Sequence, residues 1–339
     1  MTEEEPGSQE AGQAAFLLRL SARPVILAGG GALSSGAGEQ LAALAERIDA
    51  PVVTTWRGKS AIADTHDMAA GALLGQPEAG AFIEDADALL SVGVSFDEQG
   101  AGDLNPPAQT IQIDTDADQL GRRYPLRLGI AGDARAVLAQ IMSALEEPSP
   151  LKGAPGDRTN PGPGAPQGPD RDGSVRAKQL RSATFERGRR EGPEQMKALQ
   201  SLREGIHPRA IIVGAPGSSI VWTAPFFEIQ TAGTWATANE SGPLFTMARD
   251  RSRRAPVVAL CDTPDLEVHL QALQGCKALT VVGFLCGDDQ PTQLMQRCLE
   301  AGFSTILVDT PAEIAAALKV MMPSGSPSAI LATFQWDHT

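Results

Sequence analysis

The chain has 339 residues, a net charge of −13 at neutral pH, 35 glycines and only 4% aromatic residues. That length holds two domains of ordinary size. The charge weighs against nonspecific binding to nucleic acid or to an anionic membrane, and the scarcity of aromatics weighs against an aromatic-rich β-sandwich. No stretch approaches the roughly 18 apolar residues of a membrane span, and the acidic start MTEEEPGSQE is no signal peptide, so a cytoplasmic protein is expected.

Residues 1–13 read as a polar tail without structure. Ala14–Leu20 reads as a short helix. Val25–Ala28 is an apolar run that ends in Gly29, Gly30 and Gly31, the pattern of a buried parallel strand entering a turn of close backbone approach. Leu41, Leu44, Ala45 and Ile48 recur at helical spacing, and residues 51–55 read as the next strand. Strand, glycine turn, helix and strand make one βαβ unit. A loop is expected over 64–75, a helix over 78–85, strands over 88–93, 110–114 and 128–131, and a closing helix over 134–145. These elements imply a mostly parallel sheet covered on both faces, in a first domain spanning 14–147.

Residues 148–175 are rich in Pro and Gly and almost free of large apolar side chains, which predicts a flexible linker. A second α/β domain is expected over 176–339. It opens with a charged helical segment, carries strands over 210–213, 255–260, 278–284, 304–309 and 329–334, and has a helix over 291–301. Thr310, Pro311 and Glu313 predict a capped helix start. The fold class is therefore α/β, with two doubly wound, mostly parallel-sheet domains joined by a Pro/Gly-rich linker. Cys261, Cys276, Cys286 and Cys298 show no C-x-x-C pairing, and buried reduced thiols are expected. His66, His207, His269 and Tyr124 read as structural residues rather than as chemistry.

The glycine turn, APVVTTWRGKSAI followed by His66, SVGVSFDEQG and IQIDTDADQLGRRYPLRLGIAGDA together resemble the central domain of thiamine diphosphate (ThDP) enzymes of the acetolactate synthase and pyruvate oxidase group. The second block resembles the diphosphate-binding domain of the same family, in HPRAIIVGAPGSSIVW, in ESGPLFTMARDRSRRAPVVALCD and in the closing LEAGFSTILVDTPAEIAAALKVMMPSGSPSAILATF. The resemblance implies ThDP held through Mg²⁺ by a Gly-Asp-Gly motif and a later Asn-Asn pair. Here the motif is Cys261-Asp262-Thr263, and Phe284-Leu285-Cys286 precedes Gly287-Asp288-Asp289 where Asn-Asn is expected. Asp262 and Asp288 are the candidate metal ligands. The family's N-terminal domain, whose glutamate protonates the cofactor, is expected to come from another polypeptide.

Three functions follow from the resemblance. The first is a non-catalytic, structural or regulatory subunit whose expected partners are a separate ThDP-enzyme catalytic chain and a second copy of itself. The second is half of a split ThDP-dependent 2-oxo acid decarboxylase or carboligase, with ThDP and Mg²⁺ bound only where a partner completes the site. The third is binding of FAD, ADP or CoA in the central domain. There Gly29, Gly30, Gly31 and Gly93 would let backbone approach the ligand, and Lys59 would meet a phosphate. Asp114 or Asp116 would accept from ribose hydroxyls, and Gly132 and Asp133 would flank the adenine. Ser95 stands where acetolactate synthases usually have Arg, which removes a phosphate-pairing cation.

Overall fold

The computed structural model describes residues 8–96, 104–147, 172–238, 240–286, 290–334 and 336. The chain divides into two compact units, Met1–Thr184 and Phe185–Thr339. No helix among the described residues is long and apolar enough to cross a membrane.

The first unit contains α1 (Ser8–Leu20), β1 (Pro24–Ala28), α2 (Gly30–Ser34), α3 (Gly38–Ile48), β2 (Val52–Thr54), β3 (Ala69–Gly71), α4 (Pro77–Glu84), β4 (Ala88–Val92), β5 (Thr110–Asp114), β6 (Leu128–Ala131) and α5 (Ala134–Glu146). Its strands form one sheet in the order β3-β2-β1-β4-β5-β6, and every pairing is parallel. Strand order reverses between β1 and β4, the doubly wound arrangement that opens a crevice at the carboxyl ends of those strands. Alternation along β1 explains why its whole length is apolar. Ile26 and Ala28 enter the core shared with α1, α3 and α5, whereas Val25 and Leu27 enter the core on the opposite face.

Helix α1 starts earlier than expected. Ala11, Ala14, Ala15 and Leu18 are buried at helical spacing, so residues 8–13 are ordered by packing rather than left as tail. Alanines carry this face, and alanine gives little hydrophobic signal in a sequence. Residues 1–7 lie outside the described residues, as do 148–171 of the expected linker. The remainder of that linker opens α6 (Gly173–Glu191), and the division between units falls inside this helix rather than at 176. Ala177 and Leu180 enter the first unit's core, and Arg181 donates to the carbonyls of Asp64 and Ala69.

The second unit continues with α7 (Pro193–Gly205), β7 (Ile211–Gly214), α8 (Ser218–Phe226), β8 (Trp235–Thr237), α9 (Ser241–Arg251), β9 (Val257–Asp262), α10 (Thr263–His269), β10 (Leu279–Phe284), α11 (Pro291–Glu300), β11 (Ser304–Val308), α12 (Glu313–Met321) and β12 (Ser328–Ala332). Its sheet runs β11-β12-β10-β9-β7-β8 and is again wholly parallel. Val257, Ala259 and Cys261 of β9 face the core built with α9, α10 and α11, and Val258 and Leu260 are buried on the other face. Thr310 does not cap α12. Ala312 holds that position, and the Glu313 carboxylate instead accepts from the Asp309 N–H at 2.8 Å.

Candidate functional site

Each unit carries a candidate site at its own switch point. In the first, β1 runs into Gly29, and the turn is locked against the end of β4. The Gly29 N–H donates to the Val92 carbonyl at 2.9 Å, and the Gly31 N–H donates to the Gly93 carbonyl at 3.0 Å. A Cβ on Gly29 would lie 2.2 Å from the Gly93 carbonyl oxygen, and one on Gly93 would lie 2.5 Å from the Gly31 Cα. Gly93 also has φ +60°. These glycines are needed because two turns of the chain touch backbone to backbone.

A cleft of about 400 Å³ opens beside that contact. Gly30, Gly31, Gly93, Asp114, Gly132 and Asp133 line it, as the sequence suggests, and Gly29 lies immediately behind. Two expected residues take other roles. Lys59 is 1% exposed and pairs with Asp64 at 3.0 Å, so its ammonium is turned into the core and not toward the cleft. Asp116 caps a short 3₁₀ turn by accepting from the Asp118 N–H at 3.0 Å. Asp114 accepts from the Asp116 N–H at 3.0 Å, and Asp133 caps α5 through the Ala136 N–H at 3.1 Å. Arg57, Ser34, Ser35 and Ser95 also line the cleft. Arg57 was legible only as part of the polar turn Arg57-Gly58-Lys59 after β2, where nothing separated it from its neighbour Lys59. The lining thus offers two carboxylates and one guanidinium, and the glycine N–H groups of Gly29 and Gly31 are already spent on the chain itself.

In the second unit, β7 leads through Gly217, at φ +132°, into α8. Asp262 ends β9 beside that helix start. One oxygen of its carboxylate accepts from the Ser218 N–H at 2.6 Å and the Ser218 hydroxyl at 2.9 Å; the other accepts from the Ser219 N–H at 2.9 Å. A Cβ on Gly217 would lie 2.4 Å from the same carboxylate. Ser241 donates to Asp265 at 2.8 Å. Burial raises the Asp265 pKa, the Ser241 hydrogen bond and His269 oppose that, and Asp262 adds to it, with a net rise. The Cys286 sulfur lies 3.4 Å from the Ser218 hydroxyl.

These described residues do not fit a diphosphate held through a metal. The amino end of a helix is the part of such a crevice that receives an anion. Here the chain's own carboxylate fills it, with both oxygens engaged. Asp288 lies outside the described residues, and no group of three His, Cys, Asp or Glu among the described residues could hold a metal ion. Asp262, the expected Mg²⁺ ligand, here has both carboxylate oxygens engaged at the start of α8, by two peptide N–H groups and the Ser218 hydroxyl.

The expected structural roles of the histidines and of the lone tyrosine agree with their contacts. His66 accepts from the Met68 N–H at 3.2 Å and sits 3.2 Å from Glu46. His207 accepts from the Arg209 N–H at 3.1 Å, and the His269 ring packs 5.1 Å from that of Phe245. The Tyr124 hydroxyl accepts from the Leu104 N–H at 3.1 Å.

The fold and crevices define a doubly wound α/β protein of two parallel-sheet units. A family model described as thiamine pyrophosphate enzyme, central domain, matches residues 11–141. The chain is 28% identical over 295 residues to an acetolactate synthase of Mycobacterium avium, covering 81% of this chain and 42% of that protein. It is 28% identical over 286 residues to the acetolactate synthase large subunit of Corynebacterium glutamicum, with the same shares of 81% and 42%. The fold is similar to an X-ray structure from Mycobacterium smegmatis described as thiamin diphosphate-dependent, with a TM-score of 0.70 at 15% identity over 96% of this chain and 64% of that one. Residues 11–141 are thus similar to the central domain of thiamine pyrophosphate enzymes, and the chain spans about two fifths of the length of the two synthases.

Proposed function

We propose that this chain is a non-catalytic member of the acetolactate synthase-like group, a structural or regulatory subunit that works beside a separate catalytic chain. One observation carries the reading. Asp262, the residue that matches the family's metal-binding aspartate, is spent on the α8 N–H groups of Ser218 and Ser219. An aspartate so bonded is a poor Mg²⁺ ligand, because a hard cation needs free oxygens near octahedral positions. The test is calorimetry of ThDP with Mg²⁺ against the chain alone and against the chain co-purified with a ThDP-enzyme catalytic subunit. No binding by the chain, and binding by the complex that survives Asp262→Ala, supports the subunit reading. Binding by the complex that is lost in Asp262→Ala overturns it in favour of a split 2-oxo acid decarboxylase or carboligase.

A second reading is supported by the cleft at the β1/β4 switch point, which gathers Gly30, Gly31, Gly93, Asp114, Gly132 and Asp133. It is that the first unit binds an adenine nucleotide, with Asp114 toward the ribose and Arg57 as the cation nearest the phosphates. Titration with ADP, FAD and CoA tests it, and Asp114→Ala should weaken whichever of them binds.

A further inference from the structure

A groove of about 600 Å³ runs beside α7 in the second unit, on residues that neither reading above uses. Phe185, Met196, Leu199 and Phe226 form its apolar wall. The rings of Phe185 and Phe226 meet edge to face with centroids 5.7 Å apart, and Phe226 and Leu199 are buried. A volume of this size with an aromatic wall is that of a small-molecule site.

Arg203 stands in the same lining and is half-buried. Its guanidinium donates to the Glu228 carbonyl at 3.2 Å and to the Ile206 carbonyl at 2.5 Å, and it lies over the Phe227 ring at 5.2 Å. Its Nε is buried and has no partner among the described residues. Burial lowers the Arg203 pKa, with the charge of Glu228 in partial opposition. These two hydrogen bonds are to neutral carbonyls, so the charge is held in place without being neutralised by them. A desolvated cation calls for an anion, and a planar guanidinium suits a carboxylate above other anions. Arg189 and Lys197 also line the groove, and Glu204 and Glu228 offset their two charges.

We propose that this groove binds an amphipathic organic anion, with an aliphatic or aromatic body against Phe185, Met196 and Phe226 and a single carboxylate at Arg203. The site is independent of the proposed subunit role.

The test is calorimetric titration of the full chain with octanoate, with octanol and acetate as controls for the missing head and the missing body. Octanoate should bind saturably, and each control should bind at least about tenfold more weakly, the worth of one charge-assisted hydrogen bond. Arg203→Gln should cost a similar factor. Because Arg203 also clamps two carbonyls, Met196→Trp is the second variant; it fills the groove without altering the guanidinium and should abolish octanoate binding at an unchanged melting temperature. Octanol binding as tightly as octanoate, no saturation below about 10 mM, or wild-type affinity in Met196→Trp would each overturn the proposal.

Discussion

Asp262 takes two hydrogen bonds from Ser218, one from its main-chain N–H at 2.6 Å and one from its hydroxyl at 2.9 Å. A side chain that begins as the end of a strand thereby closes the start of a helix. Removing it strands two N–H groups of α8 in a largely buried position. Asp262→Ala should destabilise the second unit by about 2–3 kcal/mol, the scale of a lost helix cap with charge-assisted bonds. Asp262→Asn should cost less, since an amide oxygen still accepts. Urea unfolding of both variants checks the order.

Gly93 and Gly31 set a second expectation. A side chain at Gly93 meets backbone 2.5 Å away and must also hold φ +60°. Gly93→Ala should cost about 3 kcal/mol or more, because neither neighbouring backbone can move aside. Gly80, where an added Cβ meets nothing within 4 Å, is the control, and Gly80→Ala in α4 should be neutral or stabilising. Melting temperatures distinguish the two.

Lys59 and Asp64 form an ion pair with side-chain exposures of 1% and 9%. Replacing one partner removes the opposite charge from a buried ion. Lys59→Met should destabilise by about 3 kcal/mol or more, and Lys59→Met with Asp64→Leu should recover part of that loss. A double-mutant cycle in denaturant measures the coupling. If Lys59 served a ligand in the cleft instead, the single variant would fold normally and lose binding.

Asp87 gives a pH dependence with a definite sign. Burial alone would raise its pKa, but hydrogen bonds from the Ser21 hydroxyl and from the N–H groups of Ala22 and Arg23 outweigh that and hold it below its ordinary value. The unfolded state therefore binds its proton first as pH falls. The stabilisation is complete above the unfolded value of about 3.9 and is lost as pH drops through the lower folded value. Asp87→Asn should flatten the acid limb of the stability curve and leave the slope near neutrality unchanged.

The cysteines should react unequally. Cys261, Cys276 and Cys298 are buried, while Cys286 is partly exposed. Burial pushes Cys261 well above the ordinary thiol value; it raises Cys276, and it raises Cys298 to about 11, the latter against the opposing charge of Arg297. A thiol reagent at neutral pH should modify Cys286 first in the folded chain and the other three only on unfolding. Cys286→Ser should abolish the fast phase.

The sequence by itself determined the α/β class, the parallel sheets and most strands, because a strand buried on both faces is an unbroken apolar run. Thr110–Asp114 and Leu128–Ala131 have the predicted limits. It also pointed to the residues around the first cleft, since strand ends and glycine turns are local features. The short strands Ala69–Gly71 and Trp235–Thr237 were not legible, as three residues carry no period and become strands only by pairing with a neighbour. Nor could the sequence say that Lys59 turns inward or that Asp262 caps α8, because a charged side chain's role depends on which partner reaches it first, and those partners lie 5 and 44 residues away along the chain. Tertiary packing decided that, and with it whether each carboxylate or ammonium faces a ligand or the protein itself.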